Sequence, residues 1–225
     1  MEINANFRNR ALVSAGVEPW IPSPMPGVSR RMLDRVGDEV ARATSIVRYD
    51  AGSHFSAHTH NGGEEFLVLA GVFQDEHGDY PVGTYVRNPI DTRHTPASVE
   101  GCEIFVKLWQ FDPGETAPLR VHIDDVDYQP TPDQPSVHDA ILFEDARETV
   151  RVERWAPGAA RTVTVVGGLE ILVLEGALKV GEATLERYGW LRAPDGDALE
   201  LRAGNEPLRL WTKAGHLRDI RVPTA

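Results

Sequence analysis

Short hydrophobic runs punctuate this chain from end to end. TSIVRYD, EEFLVLAGVF, GTYVRNP, CEIFVKLWQF, VRVERWAP, RTVTVV, LEILVLEGALKV and EPLRLWTKAG are rich in Val, Ile, Leu, Phe and Tyr. Gly, Pro, Asn and Asp bound them, which reads as strands separated by turns. Helical spacing is scarce. Residues 28–42, VSRRMLDRVGDEVAR, are the one segment where a short helix is expected, interrupted by Gly37. The pattern predicts an all-β sandwich or barrel.

One stretch breaks the rhythm. Gln129 to Ala140, QPTPDQPSVHDA, is proline-rich and poor in hydrophobics, so it reads as an extended linker. It divides the chain into residues 1–128 and 129–225, and the two parts are alike. GGEEFLVLAGVF in the first matches GGLEILVLEGAL in the second: Gly62 with Gly167, Gly63 with Gly168, Glu65 with Glu170, Gly71 with Gly176. Further on, GTYVRNPIDTRH (83–94) matches GWLRAPDGDAL (189–199) with a one-residue gap. Two segments in the same order at nearly the same separation predict two copies of one β domain.

The candidate chemistry lies in the first copy. His54, His58 and His60 fall within GSHFSAHTHNGGEE. In a strand, residues two apart share a face, so His58 and His60 project together. Asn61-Gly62-Gly63 is turn chemistry, which brings Glu64 back towards both imidazoles. His94 follows a Pro-x-Asp turn on the next hairpin. Three imidazoles and a carboxylate on one inner wall suit a borderline divalent metal. Glu65 is the alternative carboxylate. His54 shares the face of the pair. His77, His122, His138 and His216 read as ordinary surface or core histidines. Lys107 and Trp109 are further candidates for the barrel interior.

Charge and cysteine content narrow the function. Twenty-three basic and 34 acidic side chains give a net charge of −11, with no basic stripe, so direct binding of nucleic acid is not expected. The single cysteine, Cys102, excludes a disulfide framework or a cysteine-rich zinc knuckle and fits a reducing cytoplasm. The first residues show no basic start followed by an apolar run, so they do not read as a secretory leader, and no segment is apolar enough to span a membrane.

The motifs carry a resemblance. Gly52-x5-His58-x-His60-x3-Glu64-x6-Gly71 resembles the first cupin motif, and Gly83-x5-Pro89-x-Asp91-x2-His94 resembles the second. Asp91 and Ser98 depart from the usual glycine and asparagine of the second motif. The resemblance implies a tandem cupin, two jelly-roll β-barrels, with His58, His60, Glu64 and His94 as metal ligands. Zinc is the first choice of metal, with iron, manganese and nickel as alternatives. Residues 40–112 are similar to the ChrR-type cupin-like domain, the zinc-binding sensory half of an anti-sigma factor. That likeness implies a response to a small ligand or oxidant. A metal-dependent dioxygenase or isomerase acting on a small acid, diketone or phenol is the alternative. The zinc-held helical domain that grips a sigma factor has no counterpart here, so a sigma factor is not expected as a partner of this chain alone.

The second copy carries Val163, Val165, Leu169 and Leu199 at the four ligand positions, so it is expected to hold no metal. The N-terminal EPWIPSPMPGVSRRMLDR has the proline spacing of an extended arm. Such an arm is expected to add a strand to its own barrel or to a partner's, the latter giving a homodimer.

Overall fold

The computed structural model describes residues 1–14 and 16–223, and within them the chain forms strands and turns with no helix. Two compact units emerge. One comprises residues 1–5, 19–125 and the C-terminal residues from 221; the other comprises 6–18 and 126–220.

In the first unit the main antiparallel sheet runs Glu2–Ile3, Val28–Gly37, Ala41–Tyr49, Cys102–Leu108, Glu64–Asp75, Thr84–Asn88, Leu119–His122. Facing residues of its central strands alternate sides, and Val47, Phe66, Val68, Val86, Ile104 and Val106 point into one apolar core. The short strands His58–Thr59 and Arg93–His94 pair separately, with His58 directly opposite His94. The second unit repeats the strand order: Gln134–Glu144, Thr149–Trp155, Leu208–Ala214, Leu169–Glu175, Trp190–Ala193. A second sheet, built from Ala160–Thr164, Ala198–Ala203, Ala177–Val180 and Ala183–Glu186, completes that unit. Both are jelly rolls, as the resemblance to cupins implies.

Two expectations are corrected. Residues 28–42 form no helix. They belong to the hairpin of Val28–Gly37 with Ala41–Tyr49, whose Met32 and Leu33 are buried. Gly37 closes that hairpin at φ +116°, where a Cβ would come 2.5 Å from the Val40 carbonyl oxygen, so a glycine that looked like a helix breaker is a turn residue. Residues 129–140 are no free linker either. Gln129–Thr131 and Gln134–Glu144 pair with each other, and Val137 is fully buried in the second core. Pro130 is tolerated because Gln129–Thr131 is the edge strand, where a missing N–H breaks no inner ladder.

Within the N-terminal arm, Ile21–Pro22 pairs with Val28–Gly37 of its own unit. Glu2–Ile3 extends the first unit's sheet, but Ala11–Val13 pairs with Trp190–Ala193, so residues 6–18 belong with the second unit. Arg10 holds Asp197 through two hydrogen bonds, Nε to Oδ2 at 2.8 Å and Nη2 to Oδ1 at 2.6 Å. These bonds, more than the opposing desolvation, hold the Asp197 carboxyl below the usual carboxylate range. The tether is therefore complete above the ordinary aspartate pKa and is lost as pH falls through the lowered value. Ala11 and Val13 are buried in the sheet. Deleting residues 1–18 is expected to destabilise the second unit by about 2 kcal/mol or more, the scale of one buried Val with its strand. Urea unfolding that leaves the midpoint unchanged sinks this expectation.

Candidate metal centre

Gly62 and Gly63 set the geometry of the turn that follows His60. A Cβ on Gly62 would lie 2.2 Å from the Trp109 ring and 2.7 Å from its Cα, so only glycine lets the turn press against this residue. Gly62→Ala is accordingly expected to cost about 1–3 kcal/mol by overpacking and to weaken metal binding with it. A variant with wild-type stability and metal content contradicts that account.

The turn delivers Glu64 to the head of the long strand, opposite Leu108, and the pleat points it inward. The ligand atoms of His58, His60, Glu64 and His94 lie within 4.8 Å of one another. Glu64 Oε2 stands 3.4 Å from His60 Nε2 and 3.6 Å from His94 Nε2. The three imidazole rings meet edge to face, with centroids 4.7–5.1 Å apart. His60, Glu64 and His94 are buried and His58 is half-buried.

Two observations fit this cluster to a cation. Nε2 of His60 and Nε2 of His94 are buried with no hydrogen-bond partner, which proteins seldom leave uncompensated. The opposite ring nitrogens of two histidines are engaged. His58 Nδ1 lies 2.9 Å from the Ser56 carbonyl, and His94 Nδ1 lies 3.0 Å from Asp75 Oδ2. Both partners only accept, so each Nδ1 carries the proton and each Nε2 offers a lone pair to the cluster. Asn88 Nδ2 donates to Glu64 Oε2 at 3.1 Å, which fixes the carboxylate. These residues could hold a divalent metal ion.

Burial pushes the His60 imidazole down, against the charge of Glu64, and so favours its neutral, ligating form. For His94 burial also pulls down, but the Asp75 hydrogen bond and the charges of Glu64 and Asp75 outweigh it and raise the group. Asp75 is driven up by burial, yet the hydrogen bonds of His94, the His77 amide and the Tyr80 hydroxyl bring it below its ordinary value. Asp75→Asn is expected to lower metal affinity about 10–100-fold, since this partner orients the ligand and raises its basicity. A competitive chelator titration showing unchanged affinity overturns that role.

A cavity of about 300 Å³ opens on His58, His60 and Glu64, with Val28, Val47, Tyr49, Ile104, Val106 and Trp109 among its walls. The Tyr49 phenol is pushed well up, first by burial and then by the charge of Glu64, so it stays protonated. A second cavity of about 390 Å³ reaches His60 and His94 from the side of Asp75 and Asn88.

The remaining candidates sort by face. His54 is exposed and pairs opposite Ala97, away from the cluster. Glu65 points to the opposite side of the sheet from Glu64. There it accepts from the Tyr85 hydroxyl at 2.5 Å and from Arg87 Nη1 at 2.7 Å. Lys107 sits opposite Glu65 and donates to Thr44 Oγ1 at 2.8 Å, so it does not face the cavity, while Trp109 does. Asp75, Asn88 and Tyr49 escape a reading of the sequence alone. The only trace of Asp75 there is the acidic turn QDEHGD that follows the long strand.

The second unit preserves the frame and loses the ligands. Val163 lies directly opposite Leu199, as His58 lies opposite His94, and both pack with Val165 and Leu169 in the apolar core. What the second copy keeps is the other face. Glu170 accepts from Trp190 Nε1 at 2.7 Å and pairs in register with Lys213, as Glu65 accepts from Tyr85 and pairs with Lys107.

Residues 8–112 match the family model described as the ChrR Cupin-like domain. No curated protein matches the chain. Among solved structures, it is similar to protein Ylba from E. coli at 14% identity and TM-score 0.71, covering 96% of this chain and 94% of that one. It is also similar to the bacterial pirin YhhW from Escherichia coli, solved in complex with nickel(II), at 15% identity and TM-score 0.64, covering 92% and 99%. The family match covers residues 8–112 of the chain, and the likeness to these solved structures shows the shared fold.

Proposed function

We propose that the first unit holds one divalent metal ion on His58, His60, Glu64 and His94 and binds a small ligand or oxidant at that ion. The observation that carries this reading is the pair of buried, unpartnered Nε2 atoms converging on Glu64 at the end of a cavity. Bound there, the ion would act as a Lewis acid towards an oxygen-bearing ligand. The chain's own residues present three imidazoles, fix the Glu64 carboxylate through Asn88, and keep a protonated phenol, Tyr49, on the cavity wall.

Two uses of this centre follow from the metal. Zinc in a four-ligand shell is closed and suits a sensor, in keeping with the ChrR-type match. Iron, manganese or nickel would leave two positions open for a dioxygenase or isomerase. The cavity favours the second use, because it gives a small molecule access to three of the four ligands.

The test is elemental analysis of the full chain purified without chelator or added metal. One ion per chain is expected, in the first unit, because the second unit's matching positions are aliphatic. Two ions, or none after gentle preparation, sink the proposal. Zinc directs it to sensing; iron, manganese or nickel directs it to catalysis.

A further inference from the structure

The cavity that ends at the metal ligands also contains a cation. Arg30 lies on the strand Val28–Gly37, directly opposite Val47, which in turn lies opposite Ile104. All three line the cavity. The Arg30 side chain is only 18% exposed, and its Nε is buried with no hydrogen-bond partner. Its ion-pair partner, Glu39, comes no nearer than 3.9 Å and is 73% exposed. That distance is too long for a hydrogen bond, and a pair so exposed contributes little. Ser23 Oγ, on the same wall, is likewise buried and unpartnered.

Two donors stand unmet in a pocket whose other walls are mostly apolar. Each unmet buried donor carries a desolvation cost that a ligand's acceptor would relieve. A guanidinium fork matches a carboxylate in shape and charge. The chain as a whole is strongly acidic, so this cation is a local feature and not part of a general positive field. The volume sits at the small end of the range for ligand pockets, enough for one ring or a short branched chain.

We propose that this cavity takes a small organic anion with an apolar body, its carboxylate received by Arg30 and Ser23 and its far end turned towards His58, His60 and Glu64. The proposal rests on the metal-centre reading for what stands at that far end. The anion site itself stands on Arg30 and Ser23.

The experiment uses the metal-loaded full chain, with 3-phenylpropionate and its neutral amide, 3-phenylpropionamide, as calorimetric probes. The acid is expected to bind about tenfold or more tighter than the amide, the scale of hydrogen bonds to a charged group. Arg30→Met is expected to bring the acid down to the affinity of the amide, with metal content still at one ion per chain. Arg30→Lys, which keeps the charge without the fork, is expected to retain part of the preference. Equal binding of acid and amide, binding of neither, or a preference that survives Arg30→Met overturns the proposal. A chain that holds no metal yet prefers the acid, and loses that preference in Arg30→Met, sinks the metal reading and leaves the anion site standing.

Discussion

His60→Ala is expected to strip the chain of its metal, lowering affinity by more than about 100-fold, beyond the effect of losing a supporting residue. The imidazole is buried, and its Nε2 stands 3.4 Å from Glu64 Oε2 with no hydrogen-bond partner. The consequence for stability depends on the metal. With ion in thousandfold excess over the wild-type dissociation constant, the wild-type chain gains about 4 kcal/mol, of which a variant bound a hundredfold more weakly keeps only about 1.4 kcal/mol. In metal-free protein the difference should shrink, because the variant also removes an unsatisfied buried nitrogen. Val165→Ala is the matched control, since Val165 holds the same place in the second copy and packs in its apolar core. It should cost some packing and leave metal content unchanged. Full occupancy in His60→Ala, measured by mass spectrometry and chelator competition, is the result that removes His60 from the ligand set.

Arg87→Met should be the most destabilising single change outside the metal centre. Arg87 is fully buried and bridges two buried carboxylates, Glu65 at 2.7 Å and Glu115 through two further bonds of 2.7 Å. Its guanidinium also stacks on Phe111, the residue against which Gly63 packs. Methionine fills the volume but takes the cation away from both acids, and breaking a buried ion pair typically costs about 3–5 kcal/mol. That is a large share of the ~5–15 kcal/mol that holds an ordinary domain together. The double variant Arg87→Met, Glu65→Leu removes one stranded charge and should regain part of the loss. A urea midpoint for Arg87→Met close to wild type, or no recovery in the double variant, contradicts this account.

The sequence alone determined that this is an all-β chain of two related halves, because strand alternation and turn residues are local properties. It also determined that His58, His60 and Glu64 converge, because one strand parity and one glycine turn connect them. The absence of ligands from the second half was equally legible, as aliphatic residues stand at each matching position. Tertiary structure decided the rest. Glu64 and Glu65 are neighbours of the same type, and only the pleat of the paired sheet sends the first to the cavity and the second to Arg87. The same alternation turned Lys107 away, whereas Trp109, at φ +61° beyond the strand end, reaches the cavity. Asp75 meets His94 only because the long strand folds back across nineteen residues of chain. Residues 129–140 looked like a linker because their prolines and sparse hydrophobics mask a local hairpin, and the partner of Ala11–Val13, Trp190–Ala193, lies far along the chain. A backbone hydrogen bond to a distant edge leaves no mark on the local pattern of hydrophobic and polar residues, so pairing between remote strands was decided by the fold.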